Sequence, residues 1–176
     1  MKHRILISLS IIALCLPLSN FAQDTEVQTP YLRTQDFEIA LGEWNGTLTY
    51  VDYSSGQPYT MPADLKVGKG NSSRTFSLNY SYPNEPQANS KGKLKISKNG
   101  LLLNGNKLIS KVINDDGILE VVTSHMGKDN KKRATIRNIY ELGTSLLIIR
   151  KEVKFIDSDE WFKRNEYSFT RAPEGN

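Results

Sequence analysis

Hydrolysis by a serine nucleophile needs an imidazole base held beside it. The chain has two histidines, His3 and His125. His3 sits in a basic and apolar N-terminal stretch, which leaves His125 as the base available to the body of the protein. No Gly-x-Ser-x-Gly elbow accompanies it. Near a strand end, beside Val121 and Thr123, His125 reads as an edge or surface residue. Glycoside hydrolysis needs two carboxyl groups flanking one bond, and Asp52, Glu120, Glu141 and Glu166 could supply such a pair. A metal site is not indicated. There is one cysteine, Cys15, and Asp157-Ser158-Asp159-Glu160 reads as a solvated turn rather than a Ca²⁺ loop. Gly68-Lys69-Gly70-Asn71-Ser72-Ser73 lacks the Gly-Lys-Ser/Thr order of a phosphate loop and a following helix. Lys128-Asp129-Asn130-Lys131-Lys132-Arg133 is basic but carries no interleaved aromatics, so it reads as a solvated loop and not as a nucleic-acid site.

Tyrosines are the other residues with chemistry to offer. A phenol combines contact area with a hydroxyl that can orient a ligand. Tyr50, Tyr59, Tyr80 and Tyr140 all fall in segments where apolar and polar residues alternate. That alternation, interrupted by Gly, Asn, Asp and Pro clusters, marks antiparallel strands. The pattern predicts strands near Glu43–Tyr53, Tyr59–Val67, Arg74–Tyr82, Gly92–Ser97, Leu101–Leu103, Lys107–Ile113, Ile118–His125, Arg133–Leu142, Ser145–Phe155 and Trp161–Arg171. Asn99-Gly100, Asn104-Gly105 and Asn114-Asp115-Asp116-Gly117 supply residues that tolerate positive φ in tight turns. The longest irregular loop is Tyr82–Ser90. Helical character is confined to Tyr31–Leu41, with Gly42 able to end it.

These segments predict an all-β fold: a single antiparallel up-and-down β-barrel of about 8–10 strands with a short N-terminal helix. Closure into a barrel removes exposed strand edges. A two-sheet sandwich is the competing architecture. In a barrel, alternate residues face the lumen. The inner face then includes Tyr50 and Asp52, Tyr59 and Met61, Phe76 and Tyr80, Asn138 and Tyr140, and Asn165, Tyr167 and Phe169. Arg164 falls on the opposite face with Phe162 and Glu166. Val153 and Phe155 face inward, which puts Arg150 and Glu152 outside; a bulge would turn both inward instead, where a pair with Arg164 or Glu166 would make a polar site.

The N-terminus carries a different signal. Lys2 and Arg4 precede an uncharged, largely apolar run, Ile5–Leu18, shorter than the ~20 residues of a membrane span. Ala22 is a small residue suited to cleavage. Residues 1–22 thus read as a signal peptide, 23–30 as a flexible lead-in and 31–176 as the barrel domain, exported to a periplasmic or extracellular compartment. The net charge is +4, and Lys2 and Arg4 account for half of it. The mature surface is close to balanced, with no general attraction for nucleic acid or an acidic membrane. Cleavage also removes Cys15. The mature chain, roughly 150 residues, must then be held by its core rather than by a disulfide.

Leu41-Gly42-Glu43-Trp44-Asn45-Gly46 resembles the opening of the lipocalins and their calycin-like relatives, which carry Gly-x-Trp at the first strand after a short helix. The strand count is nearer to fatty-acid-binding or nitrobindin-like barrels. The resemblance implies that Trp44 plugs one end of the barrel and that a basic side chain from the last strand lies across its indole. Arg171, on the alternating face of Tyr167 and Phe169, is the candidate. It also implies a ligand: a small apolar or amphipathic molecule held in the lumen, with Tyr50, Tyr59, Met61, Phe76, Tyr80, Asn138, Tyr140 and Tyr167 as the wall. No cofactor is called for, although nitrobindin-like barrels hold haem through a histidine and His125 is the one available. No membrane span is expected after cleavage. A surface interaction module, with a filled barrel and function on the Tyr82–Ser90 and Gly127–Lys132 loops, is the alternative reading, which a packed lumen with a clustered loop face would favour, and a hydrolase is the third.

Overall fold

The structure of the protein, a computed structural model, describes residues 29–173. The expected signal peptide over 1–22 and most of the lead-in lie outside the described residues. A single helical turn, α1 (Gln35–Glu38), precedes ten strands: β1 (Gly42–Val51), β2 (Pro58–Lys69), β3 (Thr75–Ser81), β4 (Ser90–Lys95), β5 (Leu102–Leu103), β6 (Asn106–Ile113), β7 (Leu119–Asp129), β8 (Lys132–Leu142), β9 (Leu146–Phe155) and β10 (Phe162–Arg171). They form one sheet in the order β4-β3-β2-β1-β10-β9-β8-β7-β6-β5. Every pairing is antiparallel. The chain is a meander whose first and last long strands are partners, and a two-sheet sandwich does not describe it.

The two ends of this sheet meet through a short bridge, Ile96 to Leu103. Asn104 reinforces it. Its backbone N–H donates to Lys95 O (2.8 Å), and its amide accepts from Lys95 N–H (2.7 Å) and donates to Lys93 O (3.0 Å). Asn104 has φ 53°, a conformation that asparagine tolerates, so one residue both turns the chain and imitates a strand. The barrel is nearly closed.

The remaining seam is filled from the N-terminal side. Leu32 N–H donates to Gly100 O at 2.9 Å. Gly100 has φ +74°, and a Cβ there would stand 2.5 Å from Leu32 O, so this crossing requires glycine. Phe37, fully buried, enters the lumen from α1 and meets Phe76 (centroids 6.0 Å apart) and Tyr140 (6.1 Å). Asp36 pairs with the inward-facing Lys111 of β6 at 2.7 Å. The helix expected over Tyr31–Leu41 is thus only four residues. Tertiary contacts hold it, since so short a helix has little stability of its own.

At the same end, Trp44 donates its indole N–H to Ala40 O at 2.8 Å. The Arg171 guanidinium carbon lies 4.1 Å from the Trp44 ring centroid, and the two residues are direct cross-strand partners. Arg171 also donates to Thr144 O, Leu41 O and Ile39 O. One side chain therefore joins the last strand, the helical turn and the β8–β9 turn. Such a cation–π contact contributes roughly 0.5–2 kcal/mol, and the hydrogen bonds add to it. Gly46 lies two residues along. A Cβ there would stand 2.0 Å from Ser168 O, so β1 and β10 approach more closely than a side chain permits.

Four expectations need correction. Strand β7 does not stop at His125: it runs to Asp129, β8 starts at Lys132, and Asn130-Lys131 alone makes the turn, both at positive φ. The basic run is a tight hairpin rather than a loop over Gly127–Lys132. Asp52 lies beyond β1 in the following turn, where its carboxylate accepts from the backbone and hydroxyls of Ser54 and Ser55. These bonds, that from the Ser54 hydroxyl first, hold its pKa down to about 2. Arg164 is not on the outer face. The register of β10 slips between Lys163 and Asn165, and this bulge turns Phe162 and Arg164 inward along with Asn165. His125 is not an edge residue either, as it lies on the inner face of β7.

Candidate functional site

Register fixes how the inner face is layered. One row crosses six neighbouring strands as Met61, Leu48, Tyr167, Ile149, Tyr140 and Val121. It is apolar apart from two phenols. The next row toward the β1–β2 turn runs Tyr59, Tyr50, Asn165, Lys151, Asn138 and Thr123. It is polar throughout. Exposure falls along it, from 49% at Tyr59 to 0% at Thr123, so the belt begins at the mouth and ends deep in the wall.

The apolar layers are filled. Phe76 and Tyr140 pack on Phe37 and form part of the core, and Met61 is buried among them. Tyr80 and Tyr167 lie 4.9 Å apart, Tyr167 stacks on Phe169 at 5.7 Å, and the Tyr82 and Tyr167 hydroxyls are 2.7 Å apart. Burial pushes the Tyr140 phenol up to about 12. Burial also raises Tyr80 and Tyr167, helped by the neighbouring phenols. These hydroxyls are neutral donors at any physiological pH. Tyr50 and Tyr59, by contrast, pair at the mouth, 5.6 Å apart.

The belt is not satisfied in the same way. Thr123 Oγ1 is buried with no hydrogen-bond partner among the described residues, and so is Nδ1 of His125, the next inward residue on β7. The His125 ring lies against Gly127, where a Cβ would stand 3.4 Å from Nε2. An orphaned buried polar atom costs about 1–3 kcal/mol and calls for an explanation.

Above the belt, the mouth is closed on one side by an ionic cluster. Asp129, with no exposed side-chain surface, accepts two hydrogen bonds from Arg164 (2.9 and 2.7 Å), one from Lys151 (2.8 Å) and one from the Tyr53 hydroxyl (3.0 Å). Arg164 also donates to Val51 O at 3.0 Å. Its guanidinium lies 3.9 Å from the Tyr53 ring centroid and 5.1 Å from that of Phe162. Burial would raise the Asp129 pKa, but the bonds from Arg164 and Lys151 outweigh it and the carboxyl is held below its ordinary value. Ala134, Ile136 and Val153, with Phe155 and Phe162 against them, form a small second core under this cluster.

The carboxylates considered for hydrolysis lie elsewhere. Glu141 and Glu166 flank Arg150 on the outer face, at 3.1 and 3.0 Å. Glu120 stands beside Glu141 across β7 and β8. Glu152 pairs with Arg137, and Lys163 with Glu166 at 2.7 Å. No two of these meet in the lumen. Among the described residues, no group of three His, Cys, Asp or Glu side chains is placed to hold a metal ion.

Sequence reasoning missed Thr123, Lys151, Asp129 and Arg164. The parity of β7 could have supplied Asp129, since residues 119, 121, 123, 125, 127 and 129 share one face if the strand continues.

No protein-family model matches the chain, and no curated protein matches it significantly. Among solved structures it is similar to Rv2717c from M. tuberculosis, with 9% identity and a TM-score of 0.47, over 81% of this chain and 99% of that one. It is also similar to a protein of unknown function from the DUF3598 family of Nostoc punctiforme PCC 73102, with 13% identity and a TM-score of 0.37. That match covers 81% of this chain and 50% of the other, so the chain spans about half the length of that protein.

Proposed function

We propose that this protein is an exported, lipocalin-like binding protein that holds a small apolar or amphipathic molecule in its barrel. The ligand's polar part lies at the belt and its apolar part against Tyr50 and Tyr59 at the mouth, because the layers beneath are filled. The observation that carries this reading is Thr123: a fully buried hydroxyl with no partner, at the deep end of a row of polar side chains. A barrel packed only for stability gains nothing from such a row, because apolar residues of equal volume avoid the desolvation cost. A bound molecule with its own hydrogen-bonding groups would repay it.

The export part of the reading rests on the basic, apolar and small-residue order of residues 1–22. Cell fractionation tests it: the chain should be recovered outside the cytoplasm with its N-terminus near Gln23. Native mass spectrometry of the protein purified from that compartment, followed by extraction, tests the carrier reading. A stoichiometric co-purifying small molecule is the expected result. The Tyr140→Phe variant sharpens it, because it keeps the packing against Phe37 and removes only the hydroxyl. It should fold as the wild type does and retain less of the molecule. A protein that emerges empty and binds no amphiphile from a mixed panel would overturn the carrier reading.

A further inference from the structure

We propose that the open edge of β6 is a docking site for a second copy of this chain: two β6 strands pair antiparallel about a two-fold axis at Val112 and join two barrels edge to edge. The pairing is independent of what the lumen holds.

The barrel has two open strand edges, one on each side of its seam. An unpaired edge is a template for another strand, and the two edges meet that hazard differently. β4 carries Lys91, Lys93 and Lys95, all exposed, at alternate positions. Lysines so placed discourage strand addition, and Asn104 takes up the backbone of Lys93 and Lys95. β6 has no such guard. Beyond its contact with β5 at Asn106 and Lys107, it pairs with β7 alone. Val112 and Ile113 are 55% and 66% exposed, and Ile109, bulged out of the ladder, is exposed beside them.

The bonding along β6 fixes which backbone groups it offers. Asn114 N–H donates to Ile118 O at the hairpin turn, and Leu108 N–H donates to Leu101 O, away from β7. In an antiparallel ladder the bonding side alternates with each residue. Counting back from Asn114, Val112 bonds to β7, whereas the N–H and C=O of Lys111 and Ile113 point to the open edge. Leu108 agrees once the bulge at Ile109 is crossed. These four groups have no hydrogen-bond partner among the described residues. The N-terminal segment nearby reaches β6 at this level through side chains, with Asp36 and Tyr31 on the Lys111 ammonium.

A second copy supplies the match, because an antiparallel edge is its own complement under a two-fold axis. With Val112 on the axis, Lys111 of each copy faces Ile113 of the other, and every one of the outward N–H and C=O groups is bonded. The two Val112 side chains then oppose each other in a non-hydrogen-bonded pair, where side chains approach most closely. A register centred on Lys111 would instead set two lysines face to face, which is unfavourable. Charge favours the same direction. Lys107 lies at one end of β6 and the Asp115-Asp116 turn at the other, all three exposed. Antiparallel pairing brings each Lys107 to the acidic turn of the other copy, whereas parallel pairing would set like charges together.

The test is sedimentation equilibrium of the mature chain from nanomolar to high micromolar concentration, with amide hydrogen exchange at both ends of that range. A reversible equilibrium that stops at two copies is expected. The Lys111 and Ile113 amides should be protected in the dimer and exchange rapidly on dilution, while the Val112 amide, bonded to β7, stays slow in both. Val112→Lys puts like charges across the axis and should raise the dissociation constant at least about tenfold, leaving Tm of the diluted chain unchanged. Lys107→Glu should also weaken the dimer, and adding Asp115→Lys and Asp116→Lys to it should restore association. A chain that is monomeric throughout overturns the proposal. So does a dimer whose Lys111 and Ile113 amides exchange as fast as in the monomer, because it uses another surface, and so does growth beyond two copies. Exchange in the wild type decides the matter if Val112→Lys does not fold.

Discussion

The two faces of β8, β9 and β10 carry similar polar residues and treat them in opposite ways. On the outer face, Arg150 is ringed by Glu141 and Glu166, with its Nε 3.2 Å from Glu152. Arg137 takes Glu152 and lies 4.2 Å from the Trp161 ring centroid, and Lys163 takes Glu166. Each charge there has an opposite charge within reach. On the inner face of the same strands Lys151 shares one carboxylate with Arg164, and next to them on β7 the buried Thr123 hydroxyl has no partner among the described residues. Water can screen the outer network as well as complete it. On the inner face the Lys151 side chain keeps 28% of its surface exposed, but Thr123 has none, so the unexplained cost falls on the Thr123 hydroxyl. The comparison teaches where to look for function: at a buried polar group with neither a partner nor an opposite charge beside it, as at Thr123, because the outer face's own unbonded atom, Arg150 Nε, still has Glu152 at 3.2 Å.

Removing Asp129 should break this comparison hardest. Asp129→Ala leaves Arg164 and Lys151 with no counter-charge in the mouth, and breaking a buried pair from one side costs about 3–5 kcal/mol. Urea unfolding should show a loss of that order. Acid offers a second route to the same group. Asp129 is held below its ordinary pKa in the folded state. Its contribution is therefore complete above the unfolded value, about 3.9, and is lost as pH falls through the lower folded value. Wild-type stability should decline on acidification below about pH 4 more steeply than that of Asp129→Ala. A slope should remain in the variant, because Asp52 is also held low, to about 2, by Ser54 and Ser55. Equal acid slopes in the two proteins would place the titrating group elsewhere.

The strands were readable because their turns announce themselves. Asn104, Gly105 and Gly117 sit at positive φ, which few residues accept. Between them, one alternating face per strand is enough to assign the meander. The inner positions of Tyr50, Asn138, Tyr140 and Tyr167 follow from the same alternation. In β10 the alternation breaks. The bulge between Lys163 and Asn165 reverses the parity of β10 and brings Arg164 inside, and nothing in Phe162-Lys163-Arg164-Asn165 marks the extra residue. Asp129 was hidden among lysines and an arginine, where composition suggests a solvated loop. Its burial depends on Arg164, from a strand that begins more than 30 residues later. Lys151 follows from the alternation of β9, because Arg150 and Glu152 face outward and Val153 inward. Alternation can place Asp129 and Lys151 on the inner face, but no local pattern shows that they meet Arg164 there, whereas a hairpin is marked by its own turn.

The outer network gives the smallest effect and the sharpest control. Glu141→Gln removes one of the carboxylates around Arg150 and keeps the side-chain shape. Glu141 and Arg150 are only partly buried, with side-chain exposures of 23% and 22%. Arg150 keeps Glu166 and sits near Glu152 after the change. Burial alone would weaken the guanidinium's hold on its proton, and the bond to Glu166 leads the opposing effects that raise its pKa overall. The charge therefore stays, and it stays compensated. The expected loss is at most about 1 kcal/mol, in the range of solvent-accessible pairs, and should shrink further in high salt. Ligand affinity should not change. If Glu141→Gln lowered ligand retention as strongly as Tyr140→Phe, the two faces would be coupled through β8, and the division between an outer face that stabilises and an inner face that recognises would fail.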